Sequence, residues 1–121
     1  MLILLVSLKE VQDRVDNWVR QYEVGYFKPF ECIACLTEEV GELSREISHL
    51  HGSKKKKPTE DKKELSSEVS DVLFALICIA NSMGIDMDEA FNETMNKLET
   101  RDKNRWEKKN ESVHSSGCSC K

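Results

Sequence analysis

Two short carboxylate runs lie inside stretches whose apolar residues recur at helical spacing, and this pairing limits the fold more than any other feature of the chain. The first run is Glu38-Glu39-Val40-Gly41-Glu42 and the second is Glu68-Val69-Ser70-Asp71. Glu39 and Glu42 are three apart, as are Glu68 and Asp71. On a helix that spacing puts two side chains on one face, with Cβ atoms about 5–6 Å apart. Carboxylates turned toward an apolar interior are costly unless a positive partner meets them. Antiparallel packing of the two helices would bring the runs face to face. Four converging oxygen ligands suit a hard divalent cation, Mg²⁺ or Mn²⁺.

Four helices account for the apolar periodicity. The first is expected over about 7–23, with Val11, Val15, Trp18, Val19 and Tyr22 on one stripe, which makes Trp18 and Tyr22 core residues. Gly25 ends it, and Pro29 suits the first turn of the next helix. The second is expected over about 30–50, with Ile33, Leu36, Val40, Leu43 and Ile47 as its apolar side; Glu39 and Glu42 flank that stripe. The breakers and lysines of 51–58 form a loop. Asp61 with Glu64 resembles a cap for a third helix reaching about Met83. Its stretch Val72–Ala80 is apolar nearly all round, which implies a central position or a subunit interface. Gly84 ends it. Asp86 with Glu89 starts a fourth helix over about 87–107, with Ala90, Phe91, Thr94, Met95 and Leu98 facing inward. No internal repeat and no alternating strand is evident. The expected architecture is an all-α, four-helix bundle over residues 1–109, closed by dimerisation, with residues 110–121 a disordered polar tail.

Bulk properties remove several function classes. A chain of 121 residues suits one domain. Its net charge of −4 argues against a general nucleic-acid binder. The apolar start Met1–Val6 is far short of the ~20 residues of a membrane span and lacks the basic start of a secretory signal. It is read as a core or interface segment, with no membrane partner. Five cysteines without an export signal fit a reducing cytoplasm. Cys32 and Cys35 have the spacing of a redox or zinc motif, but they fall on a helix and Cys118 and Cys120 fall in the tail. Small buried residues are the simpler reading.

Either acidic run alone would pass for ordinary helix surface. Together they would repel one another without a cation. Di-iron bundles use Glu-x-x-His pairs, and His49, His51 and His114 are not placed to ligate with these acids. The pattern Glu38-Glu39-x-x-Glu42 followed by Glu68-x-x-Asp71, with residues 43–67 between, resembles the signature of the MazG-like all-α nucleoside triphosphate pyrophosphohydrolases. The surrounding Leu36-Thr37 and Val72-Leu73-Phe74 are typical of the small single-domain members. The resemblance covers about residues 8–107.

That resemblance implies a four-helix MazG-like bundle whose site two subunits complete, as a homodimer or homotetramer. It implies Mg²⁺ held by Glu39, Glu42, Glu68 and Asp71, with Glu38 a further ligand or a base that orients water. Lys97 and Arg101 match basic positions that contact the triphosphate. The implied reaction is attack of water on the α-phosphorus of a (d)NTP, releasing (d)NMP and pyrophosphate, in house-cleaning of nucleotide pools. A dUTPase- or dCTPase-like member would differ only in the base pocket. Tyr26 or Phe27, in the connection leading to the second helix, is expected near the base. Lys54–Lys57 read as a solvated loop, with a phosphate-recruiting flap as the functional alternative. Asn104 is a further polar candidate, and Trp106 a packing residue. The rivals are a binding module that keeps the acids without turnover, and a plain oligomerisation bundle.

Overall fold

A computed structural model describes residues 6–60 and 64–109. Contacts divide the chain into two units, Met1–Ala90 and Phe91–Lys121. Four helices form: α1 (Leu8–Val19), α2 (Pro29–His51), α3 (Leu65–Ser82) and α4 (Met87–Arg101). The described residues contain no strand, so the fold is all-α. The expectations for Met1–Leu5, for Asp61 as a cap and for the tail from Asn110 lie outside the described residues.

Ser7 caps α1. Its hydroxyl accepts from the Glu10 N–H at 3.1 Å, and the Glu10 carboxylate accepts from the Ser7 N–H at 2.8 Å. This reciprocal pair satisfies two of the free amides at a helix start. α1 stops at Val19 rather than near Glu23, because the following segment is pulled back across it. The Tyr26 hydroxyl donates to Asp16 at 2.8 Å and accepts from the Asn81 amide at 3.0 Å. That bond pattern needs a chain reversal, which Gly25 makes at a φ of +58°.

α2 packs on α3, and α1 packs on α3 from another side. Early residues of α2 meet late ones of α3 (Cys32 and Cys35 with Cys78), and Glu39 meets Asp71, so α2 and α3 are antiparallel. The core is small: Val19, Cys32, Ala75, Ile77 and Ala80 are its buried apolar members. α2 ends at Gly52, where a Cβ would come 2.6 Å from the Ser48 carbonyl oxygen.

Gln12, on α1, is 2% exposed and joins three segments of the first unit. Its amide nitrogen donates to Asn81 Oδ1 at 2.9 Å and to the Ile85 carbonyl at 2.8 Å. Its oxygen accepts from the Met87 N–H at 2.9 Å. Asp88 accepts from the Leu8 and Lys9 amides, placing a negative charge at the start of α1.

The sequence pattern differs from the structure in one instructive way on α2. The face turned to α3 carries Cys32, Glu46 and His49, all buried, with Glu39 and Glu42 half-buried. The apolar stripe lies about a quarter-turn away, and Ile33, Val40 and Ile47 remain roughly half exposed. α3 likewise leaves Val69, Leu73 and Leu76 half exposed. By length and composition α3 would also pass for a membrane span; its acid Glu68 is 1% exposed within this chain.

In the second unit α4 ends at Arg101, short of the expected Glu107. Asp102 follows, takes both the Nε and an Nη of Arg101 at 3.2 Å, and opens a turn to Arg105. The Arg105 guanidinium lies over the Trp106 ring, 5.3 Å from its centroid. No described residue of α4 is buried within this chain, and Phe91 and Leu98 are about half exposed.

Candidate active site

The two acidic runs meet where α2 crosses α3. One carboxylate oxygen from each of Glu39, Glu42 and Glu68 lies within 4.8 Å of the others. Glu68 is buried and the other two are half-buried. Asp71 is exposed, one turn beyond Glu68, and its charge acts on Glu39. Burial first, then the charges of Asp71, Glu42, Glu68 and Glu38, push the Glu39 carboxyl above the ordinary glutamate range. Glu38 is exposed on α2 and contributes the weakest of these.

This donor set fits a hard divalent cation. The ligand atoms are all carboxylate oxygens, they come from two helices, and their separations allow one ion to reach all three. The Glu39 carboxyl, raised first by burial and then by the neighbouring anions, is a group whose charged form a cation would favour. Glu39, Glu42 and Glu68 would hold it, with Asp71 adjacent.

A cavity of about 580 Å³ opens beside the cluster. Glu39 and Asp71 line it, and its walls are otherwise mostly apolar: Trp18, Tyr22, Phe27 and Phe74 among the aromatics, with Cys32, Cys35 and Cys78. Trp18 stands edge-on to Tyr22 at 5.1 Å and to Phe74 at 5.9 Å between ring centroids. Trp18 and Tyr22 are thus not core residues; each is 51% exposed and serves as wall. Periodicity alone cannot tell a core stripe from a cavity lining, since both put apolar residues on one helix face.

Tyr26 also lines the cavity, but its hydroxyl is committed to Asp16 and Asn81. Burial and the bond to Asp16 push that phenol up to about 12. Its Asp16 partner is held below the ordinary aspartate range, first by the Arg20 guanidinium and then by Tyr26. Phe27 is half exposed at the cavity rim. Lys97 and Arg101, one turn apart on α4, are both exposed in the second unit, where Arg101 is paired with Asp102.

The basic loop is not simply solvated. Lys56 Nζ lies 3.0 Å from both oxygens of Glu46, whose side chain is 5% exposed. Glu46 stands one turn beyond Glu42. Next to it the buried His49 ring has Glu46 4.0 Å from Nδ1 and Glu60 3.9 Å from Nε2. Lysines in a run give no sequence signal for which one docks.

The fold and site together define a class: a small all-helical protein with an interhelical carboxylate cluster beside an aromatic-walled cavity. The model of the MazG nucleotide pyrophosphohydrolase domain matches residues 27–106. The chain belongs to this family and is a hydrolase of that kind. YpjD of Bacillus subtilis (strain 168) is 49% identical over 105 residues, 87% of this chain and 95% of that protein. The crystal structure of B. subtilis YpjD aligns with a TM-score of 0.73 at 45% identity, over 81% of this chain and 100% of that one. The Bacillus-conserved MazG protein, described as a nucleotide pyrophosphohydrolase, aligns at 0.72 and 42% identity, over 85% and 100%.

Proposed function

We propose that this protein is a Mg²⁺-dependent nucleoside triphosphate pyrophosphohydrolase that cleaves (d)NTPs at the α-phosphorus to (d)NMP and pyrophosphate. The observation that carries the reading is the carboxylate trio within 4.8 Å, opening beside an apolar cavity large enough for a nucleobase. Glu39, Glu42 and Glu68, with Asp71, would hold the cation. When bound, Mg²⁺ would neutralise phosphate charge and orient the polyphosphate; Mn²⁺ offers the same chemistry. Glu38, exposed beside the cluster, would orient or deprotonate the attacking water. Aromatic edges and faces among Trp18, Tyr22 and Phe27 would take the base by stacking. Lys97 and Arg101 would bind phosphate oxygens from α4. The aromatic, thiol-lined walls read as stacking surfaces, which favours action on a range of bases in house-cleaning of cytoplasmic nucleotide pools.

A second copy of the chain completes this reading. Ile33, Leu36, Val40, Leu43, Ile47 and Leu50 on α2 alternate at spacings of three and four over the whole helix, β-branched at one position and leucine at the other. That is the pattern of a two-helix seam, and it lies on the half-exposed face.

The test is a turnover panel. Purified protein with Mg²⁺ is given each NTP and dNTP, plus dUTP, ITP and oxidised guanine nucleotides, and products are separated by chromatography. Monophosphate with pyrophosphate, dependent on Mg²⁺, is expected. Diphosphate with orthophosphate would overturn α-phosphorus cleavage. Binding without product would leave a nucleotide-binding module.

A further inference from the structure

All three cysteines in the described residues stand on the walls of one cavity. Cys32 and Cys35 are on α2 and Cys78 is on α3. Each thiol is close enough to the others for its charge to be felt. They share the cavity with Glu39 and Asp71. Small buried thiols scattered through a core would need no further account, but these three converge on the space assigned above to the base.

The cluster is not a metal site in the described residues. Only the carboxylate trio brings three ligand atoms within 4.8 Å of one another. Nor does the Cys32-x-x-Cys35 pair close on itself. Side chains three apart on a helix have Cβ atoms about 5–6 Å apart, whereas a disulfide needs about 3.8 Å. Cys32 is 5% exposed and its thiol donates to the Phe27 carbonyl at 3.4 Å. Burial pushes the thiols of Cys32 and Cys78 above the ordinary cysteine range, which slows their attack on disulfides. Cys35 is partly exposed and stands one helical turn before Glu39.

We propose that this thiol cluster is a modification site for low-molecular-weight disulfides, with Cys35 as the attacking group, and that its oxidation closes the cavity to nucleotide. The proposal rests on the cavity's being the nucleotide pocket. In the first step the Cys35 thiolate attacks one sulfur of a small disulfide. A new S–S bond joins Cys35 to one half, and the other half leaves as a thiolate and takes up the proton Cys35 lost. The adduct then occupies the space of the base.

The test uses the full-length chain carrying Cys118→Ser and Cys120→Ser, so that the tail thiols do not report. Reduced protein is incubated with glutathione disulfide. Intact mass and peptide mapping follow the modification, with nucleotide hydrolysis and the fluorescence of anilinonaphthalene sulfonate in the cavity measured in parallel. The expected result is one glutathionyl group on Cys35. Dye binding and hydrolysis should fall together with that modification and return with dithiothreitol. Cys35→Ser, whatever its starting activity, should keep that activity through the same treatment. Modification of Cys35 with dye binding and turnover unchanged would overturn the proposal, as would no modification at Cys35 under conditions that oxidise an exposed thiol. If the untreated protein turns over no nucleotide, the assignment of the pocket fails. The mass and dye measurements still decide whether the thiols close the cavity.

Discussion

At the scale of single residues the proposed chemistry rests on the acids. Glu39→Gln and Asp71→Asn keep shape and remove charge. Loss of groups that merely orient metal ligands typically costs 10–100-fold, so each change at the cluster should lower kcat/KM for the preferred triphosphate by at least about 100-fold. Steady-state kinetics at saturating Mg²⁺ would measure it, and unchanged hydrolysis would remove these residues from the site. The raised Glu39 carboxyl also sets a pH signature. Between the ordinary glutamate range and Glu39's raised value, the folded chain without metal holds more protons than the unfolded one. Stability therefore falls as pH rises through that window. A divalent cation held by the carboxylates would compete with protons. Thermal melts in EDTA and in Mg²⁺ should converge near about pH 5 and separate toward about pH 7.5, where ordinary carboxyls are ionised. A Mg²⁺ shift equal at both ends would contradict the cluster as the binding site.

At the scale of elements the polar links between helices decide what holds the site's frame. Gln12 satisfies Asn81, Ile85 and Met87 from inside α1. Gln12→Leu would leave buried partners unsatisfied, each costing about 1–3 kcal/mol. The expected loss of about 3 kcal/mol should appear in urea denaturation as a lower midpoint with an unchanged slope. Glu46 and Lys56 fasten the α2–α3 loop one turn from Glu42. Lys56→Met leaves a carboxylate buried. Removing one partner of a fully buried pair costs about 3–5 kcal/mol, and less is expected here because Lys56 retains 22% exposure. Adding Glu46→Gln should recover most of the loss, a coupling that a double-mutant cycle would read. Neither link was legible in the sequence, since a glutamine on a helix stripe and one lysine among four carry no mark of a partner. The helices themselves were legible, because spacing, Pro29, Gly84 and the Asp86–Glu89 cap all report locally. The meeting of Glu39, Glu42 and Glu68 was legible too, because carboxylates three apart on two antiparallel helices are brought face to face. The ends of α1 and α4 were misjudged because Tyr26 and Asp102 act there through bonds that a periodicity does not contain. Trp18 and Tyr22 misled for a related reason: a cavity wall and a core face share one pattern.

At the scale of the whole molecule, the chain keeps its most regular apolar surface outside. Ile33, Val40, Ile47 and Leu50 on α2 are 44–58% exposed, and Val69, Leu73 and Leu76 on α3 are 42–52% exposed. A run of exposed apolar residues along one helix face is the kind of surface an interface covers. A seam with β-branched residues and leucines in alternate positions favours two helices, so the proposed occupant is α2 of a second copy. A two-fold contact presents each residue twice, so a single substitution introduces two charges into the interface. Ile33→Glu and Leu50→Glu sit at opposite ends of the seam, and neither lines the cavity nor belongs to the carboxylate trio. If α2 is the interface, both should convert a dimer or tetramer to smaller species in sedimentation velocity at micromolar concentration, while circular dichroism retains the helical signal. If the partner also completes the site, hydrolysis should fall in step with dissociation and recover as protein concentration is raised. A wild-type chain that sediments as a monomer would leave this face unexplained. Variants that dissociate yet keep full turnover would place the whole active site within one chain.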